Sequence, residues 1–323
     1  MEKNLLKNTL WIFNHPNPET IPSYYVSGLM PAHFMNIKKI IFLENHNPHS
    51  LIDKFKPKCI IISKAFSLKI SELAEIARKK GIIVISIFDD WVFENKNRTK
   101  LNLPIAKNSD YIITKTIYAD EEIQTNTGIK SKIIPDPIRF QTSKVIKNIT
   151  LPLKLCWFGM HTNHKTILNE LTNLDNTNLK IELSIISNYF EDFAKSLNKM
   201  KLKNINIKFN IWNKKSNLDI IKNDIVLLPY PNDNKRLVKS SNRIIDSLNL
   251  GRFTILSKVK QFKEFEKFTF FGNLSDGLYW IMDNKEKSYE ITTLGQKYVN
   301  ANYSIDSVCI KWFNLFDEIK ERI

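Results

Sequence analysis

CIIISKAFSLKISELAEIARKKGIIVISIFDD, residues 59–90, is the stretch that decides the fold. Residues 59–64 and 82–90 are largely apolar runs that predict two buried strands. Residues 71–81 between them predict a helix with Ser71 as its N-cap, acidic residues in its first turns and basic residues in its last turn. A helix between two fully apolar strands predicts a parallel sheet that is covered on both faces.

The same alternation of strands and helices continues through the first half of the chain. Further strands are predicted at residues 10–14, 38–44, 110–115 and 131–138, and helices at 24–37 and 50–57. Residues 135–152 are polar and contain three prolines, so they are predicted to link two domains.

The second half repeats the pattern and predicts a second parallel sheet. Its strands are predicted at 153–159, 179–186, 205–212, 224–230 and 252–257, with helices at 168–174 and 240–251 and more helices to the end. The fold class is therefore α/β, with two doubly wound, Rossmann-like parallel-sheet domains. We expect domains at residues 1–145 and 146–302, and a last helix at 303–323 that crosses back towards the first domain.

Composition limits the classes of partner. A chain of 323 residues is long enough for two domains. The net charge of +15 comes from scattered lysines without a block of like charges, so it is either plain composition or an attraction to an anionic membrane surface. Nucleic-acid binding is not expected, because no recognition module is present.

Localisation and redox state follow from what the sequence lacks. No apolar run is long enough to span a membrane and no signal peptide is recognisable, so a cytoplasmic protein is expected, peripheral on the inner face of the cytoplasmic membrane if the charge acts there. The three cysteines, which are far apart, are predicted to be buried thiols rather than disulfides or metal ligands.

Two loops of the second half follow predicted strands, where ligands bind in open parallel sheets. The first loop runs from Gly159 to Lys165, and its glycine allows the backbone to approach a phosphate. Gly159, His161 and Asn163 are candidate donor contacts, with His161 also a candidate catalytic residue. An ordinary tight turn is the alternative interpretation. A metal site at His161 and His164 is not expected, because no third ligand is near them.

The second loop begins at Tyr230 and enters a helix that the sequence predicts to be capped by serine. Free backbone N–H groups and the helix dipole would bind a diphosphate there, with Lys239 or Arg243 neutralising its charge. A carboxylate one turn later, Asp246, is placed to accept ribose hydroxyls. A capped surface helix is the alternative. The candidate donor contacts are Tyr230, Lys239, Ser240, Ser241, Asn242, Arg243 and Asp246.

The stretch KSSNRIIDSLNLGRFTI (239–255) resembles the donor-site segment of GT-B glycosyltransferases related to family 4. In that family a phosphate-contacting loop and helix precede an acidic residue and a glycine, and Asp246 has the acidic position. Val238 stands where the family commonly has the first of two glutamates, eight residues before the acidic position, and Asp246 replaces the second, so the stereochemical outcome stays open. Similar segments of a bacterial branch occur at 21–35, 63–67, 72–90, 156–164, 262–284, 295–304 and 311–312.

The resemblance implies two domains facing a central cleft, with the acceptor bound by the first domain and the nucleotide-sugar by the second. Asp89 and Asp90 end a strand on the cleft side and are candidates for a general base or for hydroxyl recognition, or else for a helix cap. Tyr25 and His33 are candidate acceptor contacts, although the pattern favours a buried structural histidine at His33.

We therefore expect a glycosyltransferase that moves a sugar from a nucleotide-sugar to a glycan or lipid-linked acceptor in cell-surface polysaccharide synthesis. No cofactor and no metal ion is expected. Two alternatives remain: a GT-B nucleotide-sugar epimerase, and a degenerate GT-B module that only binds glycans.

Overall fold

The computed structural model describes residues 2–64, 67–231, 233 and 237–321. The chain forms two compact units. The first contains the chain up to Pro137, the short segment Leu237–Ser240 and the chain from Tyr303 onward. The second contains the chain from Ile138 to the loop before Leu237, and Ser241–Asn302.

The first unit contains a six-stranded sheet in which all the pairings are parallel. Its spatial order is β2-β1-β3-β4-β5-β6, so the direction of winding changes between β1 and β3. The strands are β1 (Thr9–Phe13), β2 (Lys38–Ile41), β3 (Cys59–Ser63), β4 (Ile83–Ile87), β5 (Tyr111–Thr114) and β6 (Lys132–Ile133).

The second unit contains another six-stranded parallel sheet. Its order is β12-β11-β10-β7-β8-β9, and the winding changes between β10 and β7. The strands are β7 (Leu153–Phe158), β8 (Ile181–Ser187), β9 (Ile205–Ile211), β10 (Ile225–Leu228), β11 (Phe253–Leu256) and β12 (Phe270–Phe271).

Helices cover the sheets, as continuous apolar strands require. None of the described helices is both long and apolar enough to cross a membrane. Those before residue 138, all in the first unit, are α1 (Glu2–Lys7), α2 (Pro22–Tyr24), α3 (Met30–Phe34), α4 (Pro48–Phe55), α5 (Leu68–Lys79), α6 (Lys96–Lys107) and α7 (Ile117–Thr127). The rest are α8 (His164–Asp175), α9 (Glu191–Leu197), α10 (Ser216–Ile220), α11 (Asn242–Asn249), α12 (Leu274–Asp283), α13 (Lys285–Tyr303) and α14 (Ile305–Glu321).

The last helix, α14, completes the core of the first unit. Trp312 packs its ring 5.0 Å from that of Trp11 on β1, and both side chains are fully buried. Val308, Phe316 and Ile319 of the same helix join this core. The prediction that the last helix returns to the first domain is therefore confirmed.

Several local predictions were wrong in detail. Ser67, not Ser71, caps α5, because its hydroxyl accepts a hydrogen bond from the Ile70 N–H at 3.2 Å. No helix was predicted at 96–107, but α6 forms there with Pro104 in its interior. The helix predicted at 24–37 consists of three short pieces, with a π-helical turn at Tyr25–Leu29 between α2 and α3.

The segment that was predicted to be a linker is built into the second unit. The Ser143 N–H donates to the Asn249 carbonyl, and the Ile146 N–H donates to the Gly251 carbonyl at 3.0 Å. Arg252 donates to the Lys144 carbonyl at 2.5 Å. These bonds join residues 138–146, which we call the strap, to the end of α11 and the turn into β11.

The three cysteines are buried free thiols, as the sequence predicts. His164 is also a core residue: its ring stacks on Phe190, lies edge-on to Trp157 and places Nε2 2.9 Å from the Ser187 hydroxyl. Burial, together with the nearby His161, lowers the pKa of His164 to about 4.

We expect replacement of Gly251 by alanine to cost more than the same change at Gly81. Both glycines have a left-handed backbone, with φ of +67° and +72°, which costs an alanine about 1–2 kcal/mol. A Cβ at Gly251 would also lie 2.6 Å from the Val145 Cα, whereas one at Gly81 meets nothing within 4 Å. Urea denaturation of both variants measures the difference, and equal losses would show that the strap is not packed this closely.

Unfolding is expected to depend on pH through His164. Its pKa lies below the ordinary value of 6.5. Between pH 6.5 and about 4, His164 is therefore protonated in the unfolded chain but neutral in the folded protein. The free energy of unfolding should therefore fall as the pH drops through this window, and His164→Gln should flatten that slope. The exposed His33 provides the control, and an unchanged slope in His164→Gln would contradict the assignment.

Candidate functional site

The winding of the second sheet reverses between β10 and β7, and this is where open parallel sheets bind ligands. Gly159 directly follows β7, and its N–H donates to the Ile186 carbonyl at 3.1 Å. Tyr230 follows β10, and its N–H donates to the Ser257 hydroxyl at 3.1 Å. Both predicted donor residues therefore lie at the switch point of this sheet.

Arg243, from the first turn of α11, lies beside both of these residues. Its guanidinium lies 4.6 Å from the ring centre of Tyr230, and Nη1 is 3.4 Å from the Phe158 carbonyl. A Cβ on Gly159 would lie 3.3 Å from Nη1. A side chain at position 159 would thus crowd the guanidinium, and the glycine leaves it room. The structure brings Gly159, Tyr230 and Arg243 into one cluster.

The start of α11 differs slightly from the prediction. The helix predicted at 240–251 begins at Asn242, and its N-cap is a serine, Ser241, whose side chain makes no cap hydrogen bond. Lys239 and Ser240 belong to the first unit. Residues 232 and 234–236 of the predicted donor loop, and residues 65–66 of the segment SKAFS, lie outside the described residues.

The loop after β7 continues into a short 3-10 turn that contains His161 and ends at Asn163. The Asn188 side chain accepts from the His161 N–H at 3.0 Å and also lies next to its ring. The Asn163 carbonyl accepts from Thr166 and its N–H donates to Met160, so the residue shapes the entry to α8. Within the described residues no cluster of histidine, cysteine and acidic side chains could hold a metal ion.

Asp246 has a partner that the sequence did not reveal. Its carboxylate forms an ion pair with the Arg139 guanidinium, and the Arg139 N–H lies 3.4 Å from Oδ1. The guanidinium also lies over the rings of Phe140 and Trp212, at 4.4 and 4.7 Å from their centres. Asp246 is buried, so a ribose would have to share this carboxylate with the strap.

In the first unit, charged side chains follow four neighbouring strands. Lys64 follows β3, Asp89 and Asp90 follow β4, Lys115 follows β5, and Asp136 follows β6. Because the carboxyl ends of parallel strands meet at one edge, these residues form ion pairs. The distances are 2.7 Å for Lys64–Asp89, 3.6 Å for Lys64–Asp90 and 3.0 Å for Lys115–Asp136.

Two further residues extend this charged cluster. The Ser27 hydroxyl lies 2.8 Å from Asp136 Oδ1 and 3.3 Å from Asp89 Oδ2. Lys239 forms an ion pair with Asp90. The aspartates therefore act as partners of lysines and not as caps of a helix, since the next helix, α6, is capped by Asn95.

The two aspartates have different electrostatic surroundings. Burial raises the pKa of the Asp89 carboxyl, Lys64 opposes this, and Asp90 and Asp136 add to it. Burial also opposes ionisation of Asp90, but Lys64, Lys239 and Arg98 outweigh it and hold the pKa of Asp90 below its ordinary value. Asp90 is therefore the more reliable anion of the two.

The switch point of the first sheet, between β1 and β3, is covered by the chain itself. A Cβ on Gly28 would lie 2.7 Å from the Phe13 ring and 2.8 Å from the Ser63 hydroxyl, so the π-helical turn packs directly on both strand ends. The Tyr24 hydroxyl donates to the Lys64 carbonyl at 2.9 Å and fixes the same turn. A nucleotide has no room at this switch point.

The two predicted acceptor contacts lie on this helical segment. Tyr25 begins the π-helical turn and is exposed. His33 is exposed on α3, so its interpretation as a buried structural histidine is wrong. Sequence reasoning missed Lys64, Lys115 and Asp136, although each follows a strand just as Asp89 does.

The fold is shared with solved structures of nucleotide-sugar proteins, although the sequence matches no protein-family model and no curated protein. Anabaena Alr3699/HepE in complex with UDP and glucose is similar with a TM-score of 0.69 at 10% identity, over 96% of this chain and 99% of that chain.

Two further structures have the same architecture. T4 phage BGT in complex with UDP and Mn²⁺ gives a TM-score of 0.55 at 14% identity, over 96% of this chain and 99% of that chain. Neisseria meningitidis UDP-GlcNAc 2-epimerase bound to UDP-GlcNAc gives 0.52 at 11% identity, over 98% and 100%. With two parallel six-stranded sheets flanked by helices, the chain has the GT-B fold.

Proposed function

We propose that this protein is a glycosyltransferase that moves a sugar from a nucleotide-sugar donor to a hydroxyl of a saccharide acceptor. The observation that carries the proposal is the Gly159–Tyr230–Arg243 cluster at the switch point of the second sheet, in a chain with the GT-B fold. UDP is the donor nucleotide favoured by the similar structures, which contain UDP or UDP-GlcNAc.

The cluster has the chemistry of a diphosphate site. A guanidinium carries five N–H donors, and oxygens of a diphosphate accept them in pairs. The N-terminus of α11 adds the positive end of the helix dipole. Ser241, Asn242 and His161 are proposed as further donor contacts. Together these groups would stabilise the leaving diphosphate without a metal ion.

The reaction balances as a simple displacement. The acceptor oxygen forms a bond to the anomeric carbon, and the bond from that carbon to the phosphate oxygen breaks. The nucleoside diphosphate leaves with the electron pair. The hydroxyl proton passes either to the Asp90 carboxylate or to the leaving phosphate, and these two routes correspond to the two stereochemical outcomes.

The acceptor is proposed to bind to the first unit, near Asp90, Tyr25 and His33. A glycan or a lipid-linked saccharide in cell-surface polysaccharide synthesis is the proposed substrate, on the resemblance of the sequence to family 4. The net charge of +15 supports binding of the protein to the anionic inner face of a membrane.

An epimerase is the second candidate, because a UDP-GlcNAc 2-epimerase has the same fold. The two activities differ in their need for an acceptor. A change in the sugar of the donor without any acceptor would indicate the epimerase. Sugar transfer that depends on added saccharide would indicate the transferase.

UDP at 100 times its dissociation constant is expected to stabilise the protein by about 2.7 kcal/mol, in buffer with EDTA. Arg243→Met should weaken UDP binding roughly 10-fold to 100-fold, because it removes charge-assisted hydrogen bonds. Thermal shift and titration calorimetry with UDP, GDP, ADP, TDP and CMP measure both effects.

Lys208→Met is the matched control for Arg243, because Lys208 forms only a surface ion pair with Glu182 on the edge of the same sheet. It should leave UDP binding unchanged. Binding of no nucleotide by the wild type, or equal binding by Arg243→Met, would refute the assignment of the donor site.

Asp246 is expected to contribute to recognition of the ribose. The wild type should prefer UDP to 2′,3′-dideoxy-UDP by about 10-fold, the equivalent of one hydrogen bond, and Asp246→Asn should lose that preference. Calorimetric titration of both ligands into both proteins measures it. If the preference survives in Asp246→Asn, the carboxylate serves only to hold Arg139.

A further inference from the structure

The two adjacent aspartates after β4 have different access to solvent. The Asp89 side chain is 3% exposed and the Asp90 side chain is 29% exposed. A residue that contacts a substrate must be reachable, and only Asp90 meets that condition. Asp89 therefore needs a different role, and its closest cation is Lys64.

Lys64 is held in place by its backbone as well as by its charge. It has a left-handed φ of +46°, which a side chain rarely adopts outside places where the surroundings enforce it. The Tyr24 hydroxyl binds its carbonyl, and its N–H lies 3.4 Å from the Ile87 carbonyl. The strained backbone directs the ammonium group to both aspartates at the end of β4.

Stability does not account for this arrangement. Desolvation of two charges often cancels their attraction, so apolar side chains of similar volume are as stable as a buried ion pair. Asp89 Oδ1 is buried and has no hydrogen-bond donor among the described residues, which adds to the cost. Burial of the Lys64–Asp89 pair therefore costs free energy of folding, and the pair must serve a purpose other than stability.

We infer that Lys64 is a positioning residue that holds Asp90 as an oriented anion for the hydroxyl of the saccharide acceptor, with Asp89 as the anchor of Lys64. This inference rests on the proposed function and adds a named role to it. Lys64 itself touches no substrate. It acts through its 3.6 Å ion pair with Asp90, and Ser27 and Tyr24 support the arrangement from the helical segment.

Removal of Lys64 should change how activity depends on pH. The cations around Asp90 are Lys64, Lys239 and Arg98, and the acids near it are Asp89 and Glu122. Loss of one cation raises the pKa of Asp90 from its lowered value. Because the acceptor needs the ionised carboxylate, the acid limb of the kcat/KM profile moves to higher pH.

The experiment compares Lys64→Met, Lys64→Arg and the wild type in sugar transfer with a saccharide acceptor. In Lys64→Met we expect an upward shift of the acid limb by about one pH unit and a fall in kcat/KM for the acceptor of about 100-fold. The donor KM should not change. Lys64→Arg keeps the charge, so its acid limb and its kcat/KM for the acceptor should both lie close to those of the wild type.

A second variant covers the case in which Lys64→Met fails to fold because Asp89 is left unpaired. Lys64→Met/Asp89→Asn removes both buried charges. This double variant should melt within a few degrees of the wild type, and the acid limb of its kcat/KM profile should still move to higher pH. Lys69→Met is the control, because its ion pair with Glu72 lies on the surface of the same unit. Carbon-13 NMR of the Asp90 carboxyl follows the same titration without substrates.

The outcomes separate the two proposals. A wild type that transfers no sugar overturns the proposed function. The other outcome is a wild type that transfers sugar and a folded Lys64 variant in which neither the acid limb nor the titration of Asp90 has moved. That outcome overturns only the role of Lys64.

Discussion

In a parallel sheet, every strand enters from one side and leaves from the other, so the residues that follow neighbouring strands are forced together at a single edge. Both candidate sites depend on this constraint. It places Gly159 beside Tyr230 in the second unit, and it places Lys64 beside Asp89 in the first. Residues far apart in the chain become partners because the strands before them are hydrogen-bonded neighbours.

The two sheets use the same topology in opposite ways, and one glycine in each shows the difference. Gly28 lets a helical turn pack tightly on the strand ends of the first sheet, so that switch point is filled by the protein itself. Gly159 leaves space for the Arg243 guanidinium at the second switch point. Among the described residues, the first switch point is therefore covered by the helical turn, whereas a cationic side chain lies at the second.

The strands and the order of the elements could be predicted from sequence, because fully apolar runs between helices allow few other arrangements. The charged residues after β3, β5 and β6 could have been found by the rule that found Asp89, and Lys64 was missed only because it was taken as the end of a strand. By contrast, Arg139 could not be predicted as the partner of Asp246. The two are 107 residues apart, and only the folded strap brings them together.

Helix boundaries were less predictable, for a local reason. Ser67 and Ser71 are both acceptable caps for α5, and the choice depends on where β3 ends and how the chain turns, not on either serine. Likewise, Pro104 is tolerated inside α6, where the sequence pattern alone favoured no helix.

The position of α14 has a consequence for how the protein forms on the ribosome. Domains that are continuous in sequence fold in order as they emerge, N-terminal first. Here Trp11 is synthesised before the second unit, yet its ring packs against Trp312, which is synthesised after that unit. The first unit therefore exposes the apolar face around β1 while the whole second unit is being synthesised. Chaperones that shield nascent chains would have to cover β1 throughout that time.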